Sequence, residues 1–233
     1  MMTITAEKLA EGASSMVNTG THSPAAARSK PRPRGAPRAQ TPSIAETLQS
    51  TALELFAEQN YATVTIKDIA QKTGINSSLI YYYHRNKEEL FLSVIESVVQ
   101  AAFEKFESLR ASSDEPVAII HAWIEIHVVQ FVLLQKLAKM SLDYASRRPR
   151  TARIDRAIRK FYDLEAAVLQ RCIKDGIERG QFRKVDPVEM ATFISTFLDG
   201  SLFRAMMFPK FHYKRAISHM RQLVLDRLKQ PTR

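Results

Sequence analysis

Apolar residues recur at three- and four-residue spacing through most of the chain after its first forty or so positions, which is the pattern of amphipathic helices. The first such segment has an apolar face made of Ala45, Leu48, Ala52, Leu55 and Phe56. Ser43 and Glu46 are spaced as in a capping box, and Asn60 tolerates the left-handed backbone of a helix end. The pattern therefore predicts a first helix between Ser43 and Asn60.

Two short helices are predicted next, over about residues 66–73 and 77–84. Thr65 and Asp68 fit a capping box at the first of them, and Asn76 fits the N-cap position of the second. Gly74 lies between the two helices, where a backbone with positive φ ends one helix and turns the chain. Short helices on either side of a glycine turn are typical of a helix-turn-helix.

The later predicted helices are longer. They cover about 87–109, 151–179, 187–207 and 213–228, and the very apolar stretch 117–142 adds a central buried helix or a pair of helices. The chain has only 7 glycines in 233 residues and little β-branched alternation, which argues against a sheet. The sequence therefore predicts an all-α fold in three parts: a disordered basic tail over 1–42, a helix-turn-helix domain over 43–88 and a larger helical domain over 89–230.

The net charge of +10 does not come from the helix-turn-helix segment. Residues 44–90 carry four lysines and arginines against six acidic residues, whereas the tail over 1–42 has six bases and two acids. Prolines interrupt the basic stretch 28–38, which favours disorder. Two interpretations of the tail stay open: a basic arm on DNA phosphates, with Arg32 or Arg34 in a minor groove, or a solvated segment.

Several classes of protein are excluded by simple counts. The single cysteine, Cys172, rules out an internal disulfide framework or a cysteine-based metal cluster, and its helical context favours a small buried side chain over a nucleophile. No stretch has the composition of a membrane span or a signal-peptide core, so a cytoplasmic protein is expected. His121 and His127 lie six positions apart, which fits no one-turn metal pair. No metal, no cofactor and no enzyme activity are predicted.

The segment 65–91 carries side chains suited to DNA. The N-terminal turn of a recognition helix enters the major groove and needs small or hydrogen-bonding residues, which Asn76, Ser77 and Ser78 provide. Tyrosine hydroxyls in the later turns can reach phosphates. The three consecutive tyrosines at 81–83 cannot all face one core, because successive helical residues are about 100° apart. At least one of them must therefore be exposed.

Residues 44–91 resemble the DNA-binding domain of TetR-family regulators. The resemblance rests on Ile-Ala-Gln-Lys-Thr-Gly-Ile at 69–75, Ile-Tyr-Tyr-Tyr at 80–83 and the Asn-Lys-Glu-Glu-Leu-Phe entry to the fourth helix at 86–91. Residues 176–188 are similar to the family's usual entry to its dimerisation helices. The resemblance implies an N-terminal three-helix helix-turn-helix DNA-binding domain, followed by a larger helical domain for ligand binding and dimerisation.

The resemblance also implies a set of DNA contacts. They are Thr65, Lys67, Asn76, Ser77, Ser78, Leu79, Tyr81, Tyr82, Tyr83 and Lys87. Ser77 and Ser78 would face base edges, and Leu79 would contact a thymine methyl. Thr65, Lys87 and the tyrosines would mostly hold phosphates, with Lys87 at the start of the fourth helix, where backbone amides also attract an anion.

Two positions depart from the family's usual pattern. His84 stands where the family usually has a phenylalanine that fills the core beneath the recognition helix. Three expectations for His84 stay open: weaker packing, a local hydrogen bond, or a pH-sensing role. Asn60 stands where a glycine is common, and it is expected to reach the left-handed region in its place.

The second domain is expected to hold a pocket for a small effector. Its candidate lining residues are Trp123, His127, Phe131, Met140, Tyr144, Phe161 and Tyr162, each of which also suits an ordinary helical core. A row of arginines and a lysine covers positions 147–160, opposed only by Asp155, and Arg150, Arg153 and Arg156 share a helix face. This basic row is either a solvated face or a site for an anionic effector such as an acyl-coenzyme A thioester.

The final two helices are the expected dimer surface, forming a four-helix bundle across a two-fold axis. The candidate contacts are Phe193, Phe197, Gly200 and Ser201. The leading prediction is a repressor that binds a palindromic operator as a homodimer and is released by a small hydrophobic or anionic effector. Its partners are then operator DNA, the effector and a second copy, with no membrane. The alternatives are an activator or dual regulator with the same DNA contacts, a nonspecific DNA-binding protein and an enzyme.

Overall fold

The computed structural model describes residues 43–111, 113–146 and 149–230. The predicted basic tail over 1–42 lies outside these residues, as do Arg147 and Arg148 of the basic row. Over the described residues the chain forms nine helices and no strand, apart from one isolated bridge between Phe182 and Lys229. The helices are α1 (Ile44–Gln59), α2 (Ile66–Thr73), α3 (Ser77–Tyr83), α4 (Lys87–Arg110), α5 (Pro116–Val129), α6 (Phe131–Ala145), α7 (Ala152–Glu178), α8 (Pro187–Met207) and α9 (Tyr213–Leu228). The predicted all-α fold is confirmed.

The helix ends follow local signals in the sequence. Capping boxes join Ser43 to Glu46 and Thr65 to Asp68, and the Ser43 amide donates to the Glu46 carboxylate at 2.7 Å. Gly74 has φ 72° and ψ 6°, which is the left-handed conformation predicted for this turn. These short-range interactions satisfy backbone groups that a helix end would otherwise leave without partners.

Asn60 adopts a different conformation from the left-handed helix end that was expected. Its φ of 72° and ψ of 161° lie in a region that residues other than glycine seldom occupy. The Asn60 side-chain oxygen accepts hydrogen bonds from the amide of Thr63 at 3.2 Å and from its hydroxyl at 3.0 Å. These bonds hold the turn between α1 and α2 and offset part of the backbone strain.

Two hydrophobic cores lie along helix α4. Its first half contributes residues such as Leu90 to a core shared with α1, α2 and α3, and its second half contributes residues such as Phe103 to a core shared with α5, α7, α8 and α9. The first core also takes in Met140 of α6 and Ile154 of α7. All described residues belong to one compact unit, so the division into domains at residue 88 stays a prediction.

The very apolar stretch forms a pair of helices, which was one of the two alternatives. Helices α5 and α6 are bent by 80° relative to each other. Over the described residues no single helix is long and apolar enough to span a membrane, and this bent pair meets the requirement only jointly, by length and composition. Cys172 is buried in the second core, where burial raises the pKa of its thiol to about 12 and keeps it protonated.

Candidate DNA-binding surface and effector cavity

Helix α3 packs on the first core through one face. Ile80 is fully buried, and His84, four residues later at the helix end, is buried on the same face. The Asn76 side chain caps the N-terminus by accepting a hydrogen bond from the Ser78 amide at 2.9 Å. The exposed Ser78 and the half-buried Ser77 therefore lie in a well-defined first turn, which is the part of a recognition helix that meets base edges.

All three consecutive tyrosines are exposed. The exposed fractions are 51% for Tyr81, 81% for Tyr82 and 44% for Tyr83. The rings of Tyr82 and Tyr83 pack edge to face with their centroids 5.5 Å apart. Since Ile80 and His84 fill the core beneath α3, the tyrosines are not needed for packing. They present rigid hydroxyl groups to solvent beside the first turn, as the predicted phosphate contacts require.

Thr65 and Lys67 lie at the exposed start of α2. The Thr65 hydroxyl donates to the Asp68 carboxylate at 2.7 Å and accepts from the Asp68 amide at 3.2 Å. This capping box fixes the first turn of α2, and Lys67 is exposed in that turn. The contacts of Thr65 and Lys67 with DNA stay predictions.

Lys87 has a structural role that the sequence did not indicate. Its ammonium group donates to the backbone oxygens of Tyr61 at 2.8 Å and Val64 at 2.9 Å, and it lies 4.6 Å from the centroid of the Tyr61 ring. These contacts tie the start of α4 to the segment between α1 and α2. The ammonium group also donates to the Ala62 carbonyl at 3.3 Å. A phosphate bound by this ammonium would compete with these three carbonyls, so the predicted DNA contact of Lys87 requires their partial release.

His84 is the unusual residue of the first core. Its Nε2 atom is buried without a hydrogen-bond partner. Burial lowers the pKa of the ring, and the opposing effect of Glu89 is smaller. The ring is therefore neutral at neutral pH, but it still leaves a polar atom without a partner in an apolar setting, which costs about 1–3 kcal/mol.

His84→Phe is expected to stabilise the protein, because it removes this buried polar atom and keeps a planar ring beneath α3. A gain of about 1 kcal/mol corresponds to a rise in Tm of about 2–4 °C for a chain of this size. Thermal unfolding followed by circular dichroism measures it. His121→Phe, at an exposed position on α5, is the control and should give no rise. A lower Tm for His84→Phe would contradict the assignment.

A cavity lies between α4, α5, α6, α7 and α8. Its lining residues are Ile95, His127, Leu134, Leu137, Ala138, Ser141, Ile158, Phe161, Tyr162, Asp199 and Leu202. Three of the predicted lining residues, His127, Phe161 and Tyr162, are among them. The cavity volume is about 30 Å³, enough for a water molecule, whereas pockets for drug-sized ligands measure roughly 300–1,000 Å³. An effector of that size would have to displace side chains.

The other four predicted lining residues do not line this cavity. Trp123 and Met140 are fully buried in the second and first cores, respectively. The Phe131 ring stacks on Tyr213 with centroids 3.5 Å apart, and the Tyr144 hydroxyl lies 3.3 Å from the Thr151 carbonyl. These side chains pack helices together, so ligand contact by them stays a prediction.

Sequence reasoning missed the acidic residue of the cavity, Asp199. Tyr162 donates a hydrogen bond to Asp199, and burial raises the pKa of this carboxyl to about 6 despite that bond. His127 is 2% exposed, and burial lowers the pKa of its ring to about 4. The sequence did offer a signal, because Asp199 directly follows the apolar Phe197 and Leu198. An aspartate is seldom buried unless its side chain has a partner or a function.

A groove with exposed apolar residues runs along α8 and α9. Phe193, Phe197, Gly200 and Ser201 line it, which are the four predicted dimer contacts. Phe193 is 49% exposed and Gly200 is exposed, whereas Ser201 is buried and donates to the Phe197 carbonyl at 2.9 Å. Ser201 thus lies at the floor of the groove, and its contact with a second copy stays a prediction.

The described residues of the basic row, from Arg150 onward, do not line the cavity. Arg150 forms an ion pair with Asp155 at 3.3 Å, and the exposed Arg153 forms one with Glu89 at 3.5 Å. No arginine or lysine is among the described residues that line the cavity. Among all the residues that the structure describes, no group of three or more histidine, cysteine or acidic side chains could hold a metal ion.

Comparison with known proteins agrees with this architecture. Residues 48–94 match the family model described as bacterial regulatory proteins, tetR family. The chain is 24% identical over 165 residues to an uncharacterized transcriptional regulator of the helix-turn-helix type, YfiR of Bacillus subtilis, covering 70% of this chain and 80% of YfiR. Two further relatives, at 30% and 31% identity, are covered over less than a quarter of their length.

Two more comparisons extend over most of the fold. The repressor KstR2 of Mycobacterium tuberculosis is 26% identical over 143 residues, covering 58% of this chain and 68% of KstR2, and its structure superimposes with a TM-score of 0.61. The structure of a TetR transcription regulator from Haloarcula marismortui gives a TM-score of 0.69 at 20% identity, over 80% of this chain and 98% of that one. These proteins are regulators and not enzymes. The family model identifies residues 48–94 as a TetR-family DNA-binding domain, and the chain as a whole is similar in sequence and architecture to transcriptional regulators that carry this domain.

Proposed function

We propose that the protein is a ligand-responsive repressor that binds a palindromic operator as a homodimer, with residues 43–88 reading DNA and 89–230 binding the effector and a second copy. The observation that carries the proposal is the solvent face of α3. This face combines a capped first turn bearing Ser77 and Ser78 with three exposed tyrosines, on a helix anchored by the buried Ile80. Such a helix can enter a major groove without losing its packing on the core.

The dimer part of the proposal is supported by exposed apolar residues of α8 and α9, one of which, Phe193, lines the groove. Phe193, Phe203 and Met207 of α8 and Leu223 of α9 each expose about half of their side chain. Apolar residues concentrated on the two final helices suit burial against the same surface of a second copy. Two recognition helices would then lie about 34–36 Å apart, on successive turns of one DNA face.

The effector response is supported by contacts of helix α6. Ser141 of α6 lines the cavity. On the same helix Lys136 forms an ion pair with Glu54 of α1, and the Asp143 carboxylate accepts a hydrogen bond from the Tyr61 amide at 3.1 Å. A ligand that widens the cavity by moving α6 would also move these contacts to the DNA-binding domain. Its binding energy can therefore couple to operator affinity.

An acyl-coenzyme A thioester is the alternative effector, and the basic row is the observation that supports it. The exposed arginines of this row could hold phosphates at the surface while an acyl chain entered the cavity. This alternative requires Arg153 to leave its ion pair with Glu89. Calorimetry with long-chain acyl-coenzyme A tests it, and an absence of binding removes it.

The operator is tested by selecting bound sequences from a pool of random DNA. A palindrome with half-sites one helical turn apart, preferred by roughly 10³-fold or more over random DNA, is the expected result. Selection of a single unrepeated half-site, or no enrichment at all, would contradict the proposal. Whether the bound protein represses or activates is decided by a reporter gene carrying the selected operator.

Tyr82→Phe is expected to weaken operator binding by about 2–10-fold, since it removes one hydroxyl donor to a phosphate and leaves the ring in place. Tyr82 is 81% exposed, so the Tm should not change. Fluorescence anisotropy with the selected operator measures the affinity. Tyr213→Phe, whose ring stacks on Phe131 far along the chain from α3, is the control. Equal affinity of Tyr82→Phe and the unmodified protein would remove Tyr82 from the DNA surface.

A further inference from the structure

The polar atoms of the cavity are mainly hydrogen-bond acceptors, and no lysine or arginine accompanies them among the described lining residues. The acceptors are the Asp199 carboxylate and a ring nitrogen of His127, and the Tyr162 hydroxyl already donates to Asp199. The remaining walls are aliphatic, apart from Ser141 and the ring of Phe161. A ligand that fits this chemistry supplies a donor, a positive charge and an apolar body.

The protonation of His127 follows from its one hydrogen bond. Its Nδ1 atom lies 3.2 Å from the backbone oxygen of Trp123, and a carbonyl oxygen can only accept. The ring is buried and its pKa is lowered to about 4, so it carries a single proton at neutral pH. That proton is on Nδ1, which leaves Nε2 as an acceptor for whatever enters the cavity.

Asp199 is mostly ionised at neutral pH, and no cation among the described residues contributes to its pKa. Its pKa of about 6 is set by burial and by the hydrogen bond from Tyr162. The Asp199 charge in turn contributes to raising the pKa of the buried Glu165 carboxyl. Tyr162 is 40% exposed, so the Asp199–Tyr162 pair lies where a ligand can reach it from solvent.

We propose that this cavity, once the apolar side chains that line it move apart, binds an amphiphilic amine in its cationic form, with the ammonium group against the Asp199 carboxylate and the apolar body among Ile95, Leu134 and Leu137. Its volume of about 30 Å³ holds only a water molecule in this structure, so the amine enlarges the cavity as it binds. The ammonium donates hydrogen bonds to Asp199 and offsets its charge in a partly desolvated setting. A carboxylate or thioester phosphate in the same place would face Asp199 with no opposing cation. The inference deepens the proposed function by naming the class of effector, and it rests on that function only for the effect on DNA.

The test compares three probes that share one alkyl chain: octylamine, octanol and octanoate. Isothermal titration calorimetry with the full-length protein at about pH 7.5 measures each affinity, the amine being protonated there. Octylamine is expected to bind at least about 10-fold more tightly than either other probe. Equal or tighter binding of octanol or octanoate would overturn the proposal, and so would the absence of octylamine binding at millimolar concentration.

Two matched variants test whether the Asp199 carboxylate is the group that binds the ammonium ion. Asp199→Asn is expected to weaken octylamine binding about 10-fold while leaving octanol within about twofold. Asp163→Asn removes an exposed carboxylate from α7, outside the cavity lining, and should change neither probe. Unchanged octylamine affinity in Asp199→Asn would overturn the assignment. If that variant does not fold, the ranking of the three probes on the unmodified protein still decides.

The operator assay separates this inference from the proposed function. Octylamine that binds through Asp199 and releases selected operator DNA supports both. Octylamine that binds through Asp199 without changing operator affinity supports the cavity assignment and contradicts the effector role. If no operator can be selected, the proposed function fails, and calorimetry alone still decides which ligand the cavity takes.

Discussion

Gly200→Glu is expected to convert a dimer into a monomer in equilibrium sedimentation at micromolar concentration. Gly200 is exposed on α8 in the apolar groove, and a Cβ atom added to it would meet nothing within 4 Å in the single chain. The single chain therefore has room for the glutamate. In the proposed dimer the partner's helices fill that space, so the new carboxylate would be buried or would force the copies apart.

The Gly200→Glu variant should lose more operator affinity than the replacement of a single residue suggests. A monomer reads only one half-site, so operator affinity should fall to near the nonspecific level, by roughly 10³-fold or more. The fold itself should keep its stability or gain slightly, because glycine costs roughly 1 kcal/mol in a helix interior. Unchanged thermal unfolding together with lost operator binding would therefore separate dimerisation from folding.

Two further variants control this result. Gly200→Ala adds a single methyl group and should retain the dimer. Val132→Glu introduces the same charge at a position of α6 that is 61% exposed and lies outside the groove, so it should remain dimeric. A dimeric Gly200→Glu variant, or an unmodified chain that is monomeric at micromolar concentration, would place the interface elsewhere or remove it.

The elements that were predicted correctly are those fixed by residues close together in sequence. The capping boxes at Ser43 and Thr65 and the glycine turn at Gly74 each act within about four residues. Such helix ends can be predicted from the sequence because the hydrogen bonds that form them join residues close together in the chain. The bounds of α2, α8 and α9 agree with the prediction for the same reason.

The cavity could not be predicted in this way, because its residues come from five helices. Periodicity shows that Trp123 and Met140 face inward, but it does not tell a core from a pocket. Both residues are buried in the cores here, and their contact with a ligand stays a prediction. Lys87 was assigned to phosphate because it lies at a helix start, whereas its ammonium reaches carbonyls 23 and 26 residues earlier in the chain. Pairings of this kind depend on how helices pack, which no short sequence window contains.

Glu165 is an acid buried in the second core, and its replacement by alanine is expected to cost about 3 kcal/mol of unfolding free energy. It is 2% exposed. The Trp123 indole nitrogen donates to it at 2.9 Å, and the Ser195 hydroxyl donates to its other oxygen. Alanine would leave both donors without an acceptor and open a small void between α5, α7 and α8. Glu165→Gln keeps an acceptor for Trp123 and a similar volume, so it should stay within about 1 kcal/mol.

The pH dependence of the glutamine variant shows whether burial of the charge is costly. Burial raises the pKa of Glu165 above its ordinary value of 4.5, and the two hydrogen bonds oppose this only in part. The folded state therefore holds its proton to higher pH than the unfolded state, and this residue's contribution to stability falls as the pH rises from about 4.5 through the raised pKa. Glu165→Gln lacks this loss. Its stability relative to the unmodified protein should therefore increase as the pH rises above the ordinary pKa of 4.5 and through the raised pKa, as measured by urea unfolding. His127 titrates in both proteins, so its contribution largely cancels in the difference, whereas the repulsion between Glu165 and Asp199 is lost in the variant and adds to the same difference. A difference that stays constant with pH would mean that the Glu165 carboxyl ionises in the core at no greater cost than in the unfolded chain.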